Sequence, residues 1–151
     1  MVTLKPMTSD QYGRYLKKAI VHYAEAKTSS GNWTKEEAKE NSKKEYEKLL
    51  PQGEKTENHF LYTIFKDSKE IGIIWLAKTS QQNGFIYDFQ IDEPFQGRGF
   101  GKAALKEIET AARNLAIKKL ELNVFGYNKA ARSLYEKTGY EPMNIRMAKN
   151  I

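Results

Sequence analysis

The spacing of apolar positions changes period several times along the chain, and each change predicts an element. Residues 2–7 alternate weakly and predict a short first strand ending at Pro6. Thr8-Ser9-Asp10-Gln11 has the spacing of a capping box. Tyr12, Tyr15, Leu16, Ala19, Ile20, Tyr23 and Ala24 then share one helical face. Thr28-Ser29-Ser30-Gly31-Asn32 breaks that helix as a loop. Thr34-Lys35-Glu36-Glu37 repeats the capping spacing and opens a charged helix to about Leu50, stopped by Pro51 and Gly53. Its apolar side is thin (Ala38, Tyr46, Leu49, Leu50), which assigns it to the surface.

The middle of the chain changes to strand chemistry. His59 to Lys66 and Glu70 to Thr79 are rich in β-branched and aromatic residues, with Asp67-Ser68-Lys69 as a hairpin turn. Gln81-Gln82-Asn83-Gly84 is a second turn signal, followed by a strand through Phe85-Ile86-Tyr87-Asp88-Phe89-Gln90-Ile91. Short links between these strands predict an antiparallel meander. Helical spacing returns at Ala104, Leu105, Ile108, Ala111, Ala112 and Leu115, and Leu120, Leu122 and Val124 alternate as a strand. A strand, a helix and a strand in succession predict parallel pairing by a right-handed crossover. Asn128 can cap a last helix bearing Ala131, Leu134, Tyr135 and Thr138, and Gly139 is placed to stop it. Tyr140 to Ala148 reads as a closing strand. The expectation is one α/β domain (mixed α+β) over residues 1–151, with about four helices on a mixed, mostly antiparallel sheet.

Composition narrows the chemistry. An apolar fraction of 40% indicates a folded domain with a core. There is no cysteine, which excludes disulfides, thiolate metal sites and cysteine nucleophiles. With His22 and His59 as the only histidines, no dedicated metal site is expected. No apolar run is long enough to span a bilayer, and Met1 to Pro6 lacks a signal-peptide core, so a cytoplasmic protein is expected. The net charge of +6 suits a solubilising surface or a polyanionic ligand. Its lysines are interspersed with glutamates rather than blocked together, which argues against nucleic acid.

The most specific signal is Gln96-Gly97-Arg98-Gly99-Phe100-Gly101, between a strand and a helix start. Unpartnered N–H groups and the helix dipole make such a junction an anion site, and glycines let a bulky phosphate approach the main chain. A P-loop fails because Gln96 stands five residues before Gly101 and Ala103 follows Lys102. The dinucleotide fingerprint is met formally by Gly99, Gly101 and Ala104. It lacks a ribose-binding acid, because the next strand ends Val124-Phe125-Gly126-Tyr127.

Gln96-x-x-Gly99-x-Gly101 resembles the coenzyme A pyrophosphate loop of the GNAT acyltransferase superfamily. Asn128-Lys129-Ala130-Ala131-Arg132-Ser133-Leu134-Tyr135, ending in Gly139-Tyr140, is similar to that family's second block. The likeness is specific from about residue 85 to 141 and weak before residue 57. It implies the GNAT fold, a sheet of about six to seven strands splayed by a bulge. It implies acetyl transfer from acetyl-CoA to a primary amine of a small molecule or peptide, without a metal. A non-catalytic acyl-CoA sensor on the same fold is the alternative, and a homodimer is compatible with either.

Carried onto this chain, the resemblance assigns the pantetheine-pairing strand to Phe89, Gln90 and Ile91. It assigns the pyrophosphate cradle to Gln96, Gly97, Arg98, Gly99, Phe100, Gly101 and Lys102, and a coenzyme contact to Asn128. Tyr135 matches the tyrosine that protonates the departing thiolate. An amide near Phe89 or Ile91 would stabilise the oxyanion. The glutamate that can serve as base in the family's protein N-terminal acetyltransferases is matched here by Asn123, and Asp88, Glu121 and His59 are the candidate bases, directly or through water. Tyr12, Tyr15 and Tyr23 follow the helical stripe and read chiefly as core. Trp33, Tyr23 and Asn123 are the candidate substrate contacts.

Overall fold

The first helix starts where the capping signal puts it. In the computed structural model, which describes residues 1–151, Thr8 Oγ1 accepts from the Gln11 amide at 3.1 Å and Gln11 Oε1 accepts from the Thr8 amide at 2.9 Å. Helix α1 spans Ser9–Ser29. Helix α2 spans Lys35–Leu49, and the Thr34 amide donates to Glu37 Oε1 at 3.2 Å. Most of α2 is exposed, as its thin apolar side predicts. It is tied to α1 by the buried Ser42, whose Oγ donates to the Ile20 carbonyl at 2.8 Å. Helix α3 spans Phe100–Asn114 and α4 spans Lys129–Lys137.

The strands are β1 (Val2–Pro6), β2 (His59–Lys66), β3 (Lys69–Lys78), β4 (Asn83–Ile91) and β5 (Lys119–Leu122), in spatial order β1-β2-β3-β4-β5. The first four are mutually antiparallel and β4 pairs with β5 in parallel. The α3 face of the sheet buries Ile64, Ile71, Ile74, Leu76 and Ile86 against Leu105 and Ile108. Each such side chain contributes on the order of 1.5–3 kcal/mol of burial free energy. The opposite face buries Leu61 and Trp75 against Met7, Tyr15, Ala19 and Leu50. Side chains on β3 alternate between the cores, Ile74 and Leu76 to one and Trp75 to the other.

The expectation of six to seven strands is corrected to five, because Tyr140 to Ala148 forms no strand. The alternation that suggested it is present, yet Met143, Ile145 and Met147 are exposed. A closing strand would need a free edge of similar length, and β5 offers only 4 residues.

Candidate active site

The site is built around an irregularity in β4. Trp75 of β3 lies opposite Asp88 and the next residue, Leu76, lies opposite Ile86, so Tyr87 is an extra residue, a β-bulge. Ordinary alternation would send Tyr87 and Asp88 to opposite faces; the bulge turns both towards Trp75 and the α1 side. The Tyr87 ring stacks on Trp75 with centroids 4.7 Å apart, and Asp88 accepts a hydrogen bond from Tyr15 of α1.

The same point marks a split in the sheet. Pairing of β4 with β5 ends at Ile86 and Leu122, and from Tyr87 to Ile91 the outer edge of β4 has no partner strand. The Asp92 amide donates to the Ile71 carbonyl of β3 at 2.8 Å. The Ile91 carbonyl points the other way and accepts from Gln96 Nε2 at 2.7 Å. By strand alternation the main-chain groups of Phe89 and Ile91 face the gap, while those of Gln90 face β3.

The glycine turn lies at the end of this open edge. Gly97 and Gly99 have φ of 74° and 84°, the left-handed region that disfavours side chains, and a Cβ on either would meet no atom within 4 Å. The amides of Gly97, Arg98, Gly99, Phe100, Gly101 and Lys102 donate to no acceptor in the protein. The Gln96 amide is engaged, donating to the Glu93 carbonyl at 3.2 Å. Gln96 therefore braces the turn with its side chain while the amides after it stay available. Arg98 and Lys102 are exposed beside them. A Cβ on Gly101 would sit 3.1 Å from Leu134 Cδ2, so α4 packs directly on the first turn of α3.

That packing carries Tyr135 to the gap. Its ring lies 6.4 Å from Phe89 and 5.7 Å from Tyr140, and its phenol is pushed up to about 12, chiefly by burial and then by the charge of Asp88. It remains protonated at neutral pH, as a proton donor must. Asn128 caps α4, with Oδ1 accepting from the Ala131 amide at 3.2 Å.

Of the candidate bases, Asp88 is held by two side-chain hydrogen bonds. Tyr15 Oη donates to Oδ2 at 2.7 Å and Gln90 Nε2 to Oδ1 at 3.3 Å. Burial nevertheless raises its pKa above the usual carboxylate value, outweighing these hydrogen bonds and the nearby His22. His59 sits elsewhere on the aromatic face. Its Nδ1 accepts from the Trp75 indole N–H at 3.0 Å, and burial lowers its pKa, so its other nitrogen carries the proton. Glu121 lies on the paired part of β5, 3.4 Å from Lys119 Nζ.

A cavity of about 420 Å³ opens beside the bulge, between α1, α2 and the sheet. Tyr23 and Asn123, two of the candidate substrate contacts, are among its lining residues. Trp33 stands behind Tyr23, edge-on at 5.6 Å. Glu45, Tyr46, Leu49, Trp75, Thr79, Phe85, Ile86 and Tyr87 complete the lining, and no sequence pattern assigns them to a site or pairs Tyr15 with Asp88. One signal for Asp88 was available, a lone charge within the apolar run Phe85 to Ile91.

Comparison with known proteins bears on the family and the fold. Residues 26–140 match the acetyltransferase (GNAT) family model. The chain is 39% identical over 154 residues to the uncharacterised N-acetyltransferase YycN of Bacillus subtilis, covering 99% of each. It is 36% identical to a second such protein of that organism, YdgE, covering 99% of this chain and 98% of YdgE. The crystal structure of YycN superposes with a TM-score of 0.90 at 37% identity, covering 100% of this chain and 99% of that one. A GNAT acetyltransferase from Elizabethkingia anophelis, solved with acetyl-CoA bound, shares the fold at 21% identity and a TM-score of 0.68, covering 96% of this chain and 79% of its own. By sequence and by fold, the chain belongs to the GNAT family of acetyltransferases.

Proposed function

We propose that the protein transfers an acetyl group from acetyl-CoA directly to a primary amine. The observation that carries this reading is the row of unpartnered amides from Gly97 to Lys102, continuous with the unpaired edge of β4. Such a row, with the helix dipole behind it and Arg98 and Lys102 beside it, suits a pyrophosphate. The open β4 edge suits the amide-bearing pantetheine arm, by the same pairing that adds a strand to a sheet. Acetyl-CoA bound to the Elizabethkingia protein supports the choice of ligand.

Acetyl-CoA would supply the activated acyl thioester; the protein supplies position and protons. The Phe89 or Ile91 amide, facing the gap, is the donor for the carbonyl oxygen. Asp88, ionised but only weakly solvated, takes the proton of the incoming ammonium, because the amine must be neutral to attack. Tyr135, protonated up to about pH 12, gives a proton to the leaving thiolate, and the second proton, lost by the nitrogen as the tetrahedral intermediate collapses, restores the phenol through water. The acid approaches the split from the α4 side and the base from the α1 side.

The test is release of free thiol from acetyl-CoA across a panel of polyamines, amino acids, aminoglycosides and peptide N-termini. Thiol release that depends on an amine is expected. Tight acetyl-CoA binding with no release for any amine would instead identify a sensor on the same fold.

A further inference from the structure

We propose that the acceptor is an aliphatic amine carrying a second cationic centre, a diamine or polyamine in class. Its non-reacting end is held by Glu45 and the aromatic walls of the cavity beside the bulge. The inference rests on the acyl-transfer reading and adds what enters from the α1–α2 side.

The cavity walls form an almost continuous aromatic surface. Ring centroids run from Tyr23 to Tyr46 at 6.0 Å, Tyr46 to Trp75 at 6.1 Å, Trp75 to Tyr87 at 4.7 Å and Tyr87 to Phe85 at 4.9 Å. Such rings attract an ammonium group through their electron-rich faces. The cluster already attracts one cation from outside, since Lys27 Nζ lies 5.6 Å from the centroids of both Tyr23 and Trp33.

Glu45 is the one charged residue in the lining. Its carboxylate stands beside the Tyr23 phenol, which is raised to about 12 by burial first and by Glu45 second. The ion pairs of the structure join Met1 to Asp67, Arg14 to Glu70, Lys66 to Asp67, Lys119 to Glu121, and Arg132 to Glu136. Glu45, exposed at the cavity mouth, is in none of these pairs, like most acids of the chain, and the charge nearest Asp88 is His22. Glu45 lies in the lining of the cavity, and Asp88 is the residue after Tyr87, which lines it at the bulge. A diamine matches that arrangement: one ammonium stays at Glu45 while the other gives its proton to Asp88 and becomes the nucleophile. An alkylamine would satisfy the walls but leave Glu45 alone.

The experiment compares acetyl-CoA-dependent thiol release with 1,4-diaminobutane and with n-butylamine, in the wild type and in Glu45→Gln. Trp fluorescence titrations with 1,4-diaminobutane in the presence of coenzyme A provide a readout free of turnover. The wild type should favour the diamine in kcat/KM by about tenfold or more, the scale of one oriented charge interaction. Glu45→Gln should collapse that ratio through KM and weaken the fluorescence titration by a similar factor. Equal kcat/KM for the two amines, or a preference unmoved by Glu45→Gln, overturns the inference while leaving acetyl transfer intact. No release with any amine removes the acyl-transfer reading. A fluorescence titration insensitive to Glu45→Gln then removes the diamine as ligand too.

Discussion

The two sides of the split sheet are made in different ways. On the α3 side the site is main chain: consecutive amides, two glycines in the left-handed region and an unpaired strand edge. On the α1–α2 side the proposed acceptor site is side chain, drawn from Tyr15, Tyr23, Glu45, Tyr46, Trp75, Tyr87 and Asp88. A main-chain site recognises a feature common to many ligands, and any chain with the right turn can build it. A side-chain site recognises one acceptor and can change without disturbing the turn. The bulge at Tyr87 joins the two, since it ends the pairing with β5 and turns Asp88 to the α1 side.

Substitutions on either side separate these contributions. Asp88→Asn should have the largest effect, lowering kcat by about 10²-fold or more while acetyl-CoA affinity holds. In the wild type kcat/KM should fall as pH drops through a value above the ordinary aspartate pKa, and this acid limb should vanish in the variant. Stability should move in the opposite sense. A folded-state pKa raised above the unfolded value contributes stability in acid that is lost as pH rises through the folded pKa. Asp88→Asn should therefore raise Tm at pH 7, with a gain that shrinks towards pH 4. The asparagine oxygen can still accept from Tyr15. An unaltered kcat would remove Asp88 from the chemistry.

Tyr135→Phe should lower kcat by about tenfold or more with little change in coenzyme affinity. Tyr135 should produce no alkaline loss of activity below about pH 12. Gly99→Val should act on the α3 side alone. It strains a φ of 84° and places methyl groups over the amides, weakening acetyl-CoA binding by about tenfold. The KM for the amine should stay as it was; a matching rise there would mean that the two sides are not separable.

The same contrast explains what could be read from the chain. The loop was legible because its requirements are local: Gly97 and Gly99 supply the turn, and Phe100 opens the helix within a few residues. The meander, the crossover and both capping boxes were legible for the same reason. The cavity proposed for the acceptor was not, because Tyr23, Glu45, Trp75 and Tyr87 meet only after α1 and α2 fold against β3 and β4. On α2, Glu45 is one acid among several, and no periodicity distinguishes it. The failure at Tyr140 to Ala148 has the opposite cause. Its local pattern is that of a strand, and pairing is a property of the neighbour, which β5 is too short to supply.

The most direct test of the account is a ¹⁵N–¹H NMR titration of the protein with acetyl-CoA. The largest amide shifts are predicted at Gly97 to Lys102, with Phe89 and Ile91 following and the amides of β1 and β2 unmoved. Saturable binding that left those loop and edge amides unshifted would contradict the assignment of the split sheet as the acetyl-CoA site.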